Sequence, residues 1–230
     1  MSDSNPIEGK LNNFVWANEG NLPGFQELLE SWVRVYQKCC CSIWPEFLWE
    51  YTERPQIGLL SNAAVLIGGI ALEEWGTEKA FGGNNSYGRN DLWLRLHPTL
   101  GETDYQVEAK HSRLSVRKPM SEAQAIIAGT IENAKNAAKE LISKNGEINV
   151  AMSFITLQFS ISDTTSLDNK TNELLQRIKE NGCQETNCDA VAAIWLDAKT
   201  FELSRTTRLQ LNPQWRNNDV GLILLANRMS

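Results

Sequence analysis

The sequence predicts an α/β domain of α+β character: a mixed central sheet flanked by helices, beneath an N-terminal helical cap. Three observations predict it. Residues 91–96 (DLWLRL) and 105–110 (YQVEAK) alternate apolar and polar side chains at the strand period, separated by a turn that carries Pro98 and Gly101. Residues 120–143 then hold a long helical pattern. After it come an apolar strand at 148–161, an amphipathic helix at 169–179 and a buried strand at 190–196. No internal repeat or low-complexity linker divides the chain. The arm and cap (1–56) and the α/β core (57–230) therefore read as one compact unit.

Residues 1–22 are rich in Asn, Glu and Gly and read as a loose arm, with Phe14-Val15-Trp16 as its docking point. From Gly24 to Cys41, Phe25, Leu28, Leu29, Trp32, Val33 and Tyr36 recur at helical spacing, and Pro23 stands near the start. Trp44, Phe47, Leu48 and Trp49 suggest a second short helix. Such a concentration of aromatics is core or cap, with a protein-partner surface as the alternative. A helix is expected through Ala63–Trp75, capped by Ser61 or Asn62 and apolar on nearly every side, hence buried. Glu73 and Glu74 close it, and Glu73 falls in register with Leu66 and Ile70. Residues 81–88 (FGGNNSYG) read as a loop or an irregular strand.

The 120–143 helix has an inward face of Ile126, Ile127, Ile131, Ala134, Ala138, Leu141 and Ile142, with a cap at Ser121 or a neighbour and an end at Asn145-Gly146. In the last third, Leu174, Leu175 and Ile178 face inward, and 201–211 and 220–226 read as extended segments.

At 230 residues the chain can bury a full core. No segment is long and apolar enough to span a membrane, and the polar start has no apolar signal core, so a cytoplasmic protein is expected. The net charge of −6 argues against a broad basic surface for nucleic acid. It leaves room for an enzyme whose clustered carboxylates subtract charge where a metal restores it. Five cysteines, three of them consecutive at 39–41, suggest reduced thiols. With His97 and His111 the only histidines and no CxxC, Cys183 and Cys188 make a weak zinc set. No phosphate-binding GxxxxGK[ST] loop, GxGxxG fingerprint, GxSxG elbow or HExxH helix occurs.

If the two alternating strands pair with their apolar faces together, Asp91, Glu108 and Lys110 share the other face. Two carboxylates and an ammonium at a sheet surface suit a hard divalent cation, which takes oxygen ligands and keeps waters. An acid two residues before a lysine is common by chance, and here it recurs at Glu8-Gly9-Lys10, Asp168-Asn169-Lys170 and Asp197-Ala198-Lys199. Only Glu108-Ala109-Lys110 follows a strand that opens on its own acid. Lys110, His111, Arg113, Arg117 and Lys118 cluster beside it, as phosphate contacts or as a solvated edge.

Asp91 on one strand and Glu108-Ala109-Lys110 on the next resemble the signature of the PD-(D/E)XK nuclease superfamily, with its restriction-endonuclease-like fold. The proline that names the motif is Asn90 here. The resemblance implies a metal-dependent nuclease with DNA as its partner, in restriction, repair or phage defence, with a homodimer as one arrangement. It implies Mg²⁺ or Mn²⁺ held by Asp91, Glu108, the Ala109 carbonyl and a helix glutamate, placed at Glu73 with Glu74 as the alternative. Lys110 would orient or deprotonate the attacking water. Arg113, Arg117 and Lys118 would contact phosphates, and Gln124, in the first turn of the long helix, would approach the metal or substrate. The aromatic that follows this glutamine by four residues in such nucleases is Ala128 here. The alternative function is a non-catalytic binding or assembly protein on the same fold.

Overall fold

The computed structural model describes residues 11–42, 48–81, 84–97, 101–143, 146–159, 167–181, 188–197, 199–201 and 219–229. Its nine strands are β1 (Leu11–Ala17), β2 (Ile70–Glu73), β3 (Gly76–Phe81), β4 (Asn84–Arg89), β5 (Leu92–Leu96), β6 (Thr103–Ser115), β7 (Ile148–Gln158), β8 (Ala190–Leu196) and β9 (Asp219–Arg228). Its four α-helices are α1 (Phe25–Ser42), α2 (Glu53–Leu66), α3 (Met120–Ala138) and α4 (Leu167–Asn181), with a 3₁₀ turn at Leu48–Glu50.

Seven strands form one sheet in the order β1-β8-β9-β7-β6-β5-β2, and β3 and β4 pair as a separate hairpin. Among the described pairs only β6 and β7 run parallel. The α3 crossover joins them, as a parallel pair requires. The sheet is therefore mixed, mostly antiparallel, and flanked by helices.

The β5–β6 register pairs Leu92 with Val107 and Leu94 with Tyr105, so the apolar faces of the two alternating strands do coincide. Tyr105 and Val107 are fully buried; the Tyr105 ring meets Phe25 of α1 edge-on at 5.1 Å, and its hydroxyl donates to the Pro23 carbonyl at 2.5 Å. The other face of β6 looks toward α3, where Thr130 donates to the Ser112 hydroxyl at 2.8 Å.

Expectations for the arm, the 63–75 helix, the Ser121 cap and the start of the 201–211 segment are corrected. The arm is ordered from residue 11: β1 pairs antiparallel with β8 and ends one edge of the sheet. The apolar stretch 63–75 is not one helix. α2 begins ten residues earlier, after Thr52 at its N-cap, and stops at Leu66, while Ser61 and Asn62 lie inside it. Gly68, at φ 84°, and Gly69, where a Cβ would lie 2.7 Å from the Arg95 carbonyl oxygen, turn the chain into β2. The end of α2 is exposed, with Leu66 70% accessible, rather than buried. Phe81 closes β3 and residues 84–88 lie in β4, which pairs antiparallel with β3. The α3 N-cap is Pro119, with no side-chain hydrogen bond, so Ser121 does not cap it. Beyond β8, residues 199–201 are helical, and 202–211 lie outside the described residues. The division drawn after residue 56 falls within α2.

The N-terminal aromatics are core. Trp32, Tyr36 and Trp49 are fully buried, and the Tyr36 and Trp49 rings stack at 5.6 Å with an interplanar angle of 7°. Trp44 and Phe47 lie outside the described residues. Among the described residues no helix is long and apolar enough to cross a membrane.

Candidate functional site

Pairing between β5 and β6 stops at Leu92–Val107, while β6 runs on to Ser115. Past that point no strand among the described residues lies beside the β5-side edge of β6, and the N–H and C=O of Ala109 project from that edge. The Asp91 carboxylate takes the N–H at 2.7 Å, and the Lys110 ammonium donates to the carbonyl at 2.6 Å. Asp91 is held by its own backbone, which donates to the Val107 carbonyl at 3.1 Å and accepts from the Glu74 N–H at 3.2 Å.

Asn90, where the motif's proline would stand, is buried, and its N–H donates to the Trp75 carbonyl at 3.0 Å. Proline has no N–H and would forfeit that bond.

Glu108 is 4% exposed on the α3-facing side of β6. Burial pushes its carboxyl up to about 7, and the Asp91 charge adds to the rise; hydrogen bonding from Lys79 and the charges of Lys79 and Lys110 oppose it. The Lys79 ammonium, from the middle of β3, donates to Glu108 Oε1 at 2.5 Å. Glu53, in the first turn of α2, is also held above the ordinary carboxylate range, first by burial and then by the Asp91 charge, with Lys110 opposing. Asp91, Glu108, Lys110, Glu53 and Lys79 thus form one electrostatically linked group at an open strand edge.

Other candidates lie elsewhere. Glu73 ends β2 opposite Leu92 and is exposed, on a strand rather than a helix; the carboxylate that stands in the first turn of α2 is Glu53. Glu74, at φ 53°, is exposed and bound to Arg54 and Arg89. Arg113 donates to the Glu50 carbonyl at 3.0 Å, and His111 shares a 2.9 Å hydrogen bond with Thr156; both odd-numbered residues lie on the face of β6 opposite Glu108 and Lys110. Lys118 pairs with Glu122 at 2.7 Å. Arg117 and Gln124 are exposed, near the end of β6 and on the first turn of α3. The basic cluster is therefore dispersed over several surfaces. The rival Asp197 accepts the Thr200 N–H at 2.6 Å, as a residue opening a helical turn does.

Sequence reasoning missed Glu53 and Lys79. For Glu53 a signal was present: Thr52-Glu53-Arg54-Pro55 reads as a helix start, with an acid and a proline in the first turn. For Lys79 there was none, because its partner lies 29 residues away on another sheet.

Among the described residues no group of three or more His, Cys, Asp or Glu side chains is arranged to hold a metal ion. The donor chemistry nevertheless suits a hard cation: the available atoms are all oxygens, from Asp91, Glu108 and the Ala109 carbonyl. Two ammonium groups already sit on two of these donors, Lys79 on Glu108 and Lys110 on Ala109, where positive charge is needed. Cys188 is a buried thiol, and Cys183 lies outside the described residues. No protein-family model, curated protein or solved structure matches the chain.

Proposed function

We propose that this protein is a metal-dependent nuclease that hydrolyses phosphodiester bonds, with DNA as its substrate. The observation that carries the reading is the open edge of β6, where Asp91, Glu108, Lys110 and the Ala109 carbonyl converge beside a helix-borne Glu53. With the β3–β4 hairpin inserted after β2, the order α2-β2-(β3-β4)-β5-β6-α3-β7, with β6 and β7 parallel, supports a restriction-endonuclease-like core.

Asp91, Glu108 and the Ala109 carbonyl would hold Mg²⁺ or Mn²⁺, with Glu53 within electrostatic reach of Asp91. The cation supplies Lewis acidity at the phosphate and acidifies a bound water. The chain's own groups do the rest. Ala109 N–H fixes the Asp91 carboxylate by a charge-assisted hydrogen bond. Lys110 carries the positive charge that offsets the phosphorane as it forms. Glu53, whose proton affinity burial and the Asp91 charge raise, would serve as the proton acceptor for a bound water.

The test is cleavage of supercoiled plasmid, linear duplex and single-stranded substrates with Mg²⁺ or Mn²⁺. Asp91→Ala and Lys110→Ala are expected to lower the rate at least ~100-fold each. Glu53→Gln should cost ~10-fold or more, whereas Glu73→Gln should leave the rate within about 2-fold. Absence of cutting by folded wild type across these substrates would overturn the nuclease reading. The outcome would then favour a non-catalytic binding protein on the same fold, a reading supported by the Lys79–Glu108 ion pair.

A further inference from the structure

The β3–β4 hairpin lies over the sheet beside Glu108 and is anchored at three places. Thr77 donates to the Gln106 side chain at 2.8 Å. Ala80 N–H donates to the Glu140 carbonyl at 2.8 Å, and Ile142 N–H donates to the Glu78 carbonyl at 3.2 Å. These bonds hold the hairpin between β6 and the segment that follows α3. Lys79, at its centre, reaches down between the anchors onto Glu108, and the pair is poorly accessible, the side chains being 21% and 6% exposed. Gly88 makes room for the lysine stem: a Cβ there would stand 2.9 Å from Lys79 Cδ and 3.1 Å from Cγ.

A carboxylate this secluded requires a positive partner, because an unpaired charge out of water is costly. Lys79 supplies that charge. Its ammonium lies on an oxygen the proposed cation would take, so the two cannot hold that oxygen together at ligand distance.

We propose that Lys79 is a positioning residue: it holds the Glu108 carboxylate in the ligand-free protein and is displaced by the divalent cation, which loosens the β3–β4 hairpin over the site. The inference rests on the metal-site reading above. Cation binding and hairpin release are then one coupled event, and the coupling is reciprocal.

The experiment titrates Mn²⁺ alone, by calorimetry and by the resonance signal of the free ion, into wild type, Lys79→Met and Glu108→Gln. Amide hydrogen exchange is followed over 76–81 and 84–89 in wild type with and without saturating Mn²⁺. Lys79→Met is expected to bind Mn²⁺ on the order of 10-fold or more tighter than wild type, since the competing ammonium is gone. Glu108→Gln should bind weakly, and Mn²⁺ should speed exchange at Ala80 and Ile142 in wild type. If Glu108→Gln abolishes binding but Lys79→Met binds no tighter than wild type, Lys79 is not a competitor and the inference fails while the metal site stands. If Mn²⁺ binds neither wild type nor Lys79→Met, or binds Glu108→Gln as well as wild type, the metal site itself is wrong. Should Lys79→Met not fold, the wild-type exchange decides: saturating Mn²⁺ that leaves the hairpin amides unchanged overturns the coupling.

Discussion

Glu108 concentrates the site's chemistry in one side chain. In the unfolded chain its carboxyl ionises near the ordinary value of 4.5; burial in the native state holds the proton up to about 7. The folded protein therefore binds more protons than the unfolded one between these values, and stability falls as pH rises through that window. Glu108→Gln removes the titration and keeps the shape. Between pH 4.5 and pH 8, wild-type stability should therefore fall by about 2–3 kcal/mol relative to the variant, on top of a pH-independent cost to the variant for the lost Lys79 partner. Urea unfolding at pH 4.5, 6 and 8 measures the gap; a gap independent of pH would mean that the carboxyl titrates normally. His111 works in the opposite direction, since burial lowers its pKa and stability is lost as pH falls below the usual histidine range. Only the comparison with the variant isolates Glu108.

At the scale of elements, helix starts and ends decide which residues meet. Moving the start of α2 from the expected Asn62 region to Glu53 exchanges one glutamate for another at the site. The Gly68-Gly69 turn explains the difference, because two glycines in succession release the chain into a strand where hydropathy alone suggests more helix. The 3₁₀ turn before α2 is anchored by Trp49, whose indole N–H donates to the Asp219 carbonyl at 3.3 Å and whose carbonyl accepts from Thr156 at 2.9 Å. Trp49→Ala would remove a stacked, fully buried ring and should cost roughly 3–5 kcal/mol. Thermal or denaturant unfolding checks this. A loss below ~1 kcal/mol would mean that the turn closes over the cavity.

For the whole molecule, β7 and β9 lie inside the seven-stranded sheet, each paired on both sides, and their residues are almost all buried. Their amides should be the slowest to exchange with deuterium, ahead of β1 and β2 at the edges, whose exchange should be faster by ~10²-fold or more. Equal protection at edge and centre would indicate that the sheet opens only as a unit. The net charge of −6 and the dispersal of Arg113, Arg117 and Lys118 leave the site without a broad basic surface. Under the proposed reading, a cation at the carboxylates would join Lys79 and Lys110 as the local positive charge for a phosphate.

The sequence alone determined the mixed α/β class, α1, the β5–β6 pair and its facing, and the strands β7, β8 and β9, because period-two and period-3.6 hydropathy are local signals. It also brought Asp91, Glu108 and Lys110 near one another, since strand alternation dictates which side chains share a face and which peptide groups reach an edge. Only the tertiary structure decided the rest. Leu11–Ala17 is a strand because β8 offers it an edge, and Glu53 comes within reach of the Asp91 and Lys110 charges because α2 begins at Glu53. Lys79 meets Glu108 because a hairpin folds back across 29 residues of chain. Such meetings depend on how separate elements pack, and local periodicity carries no record of that.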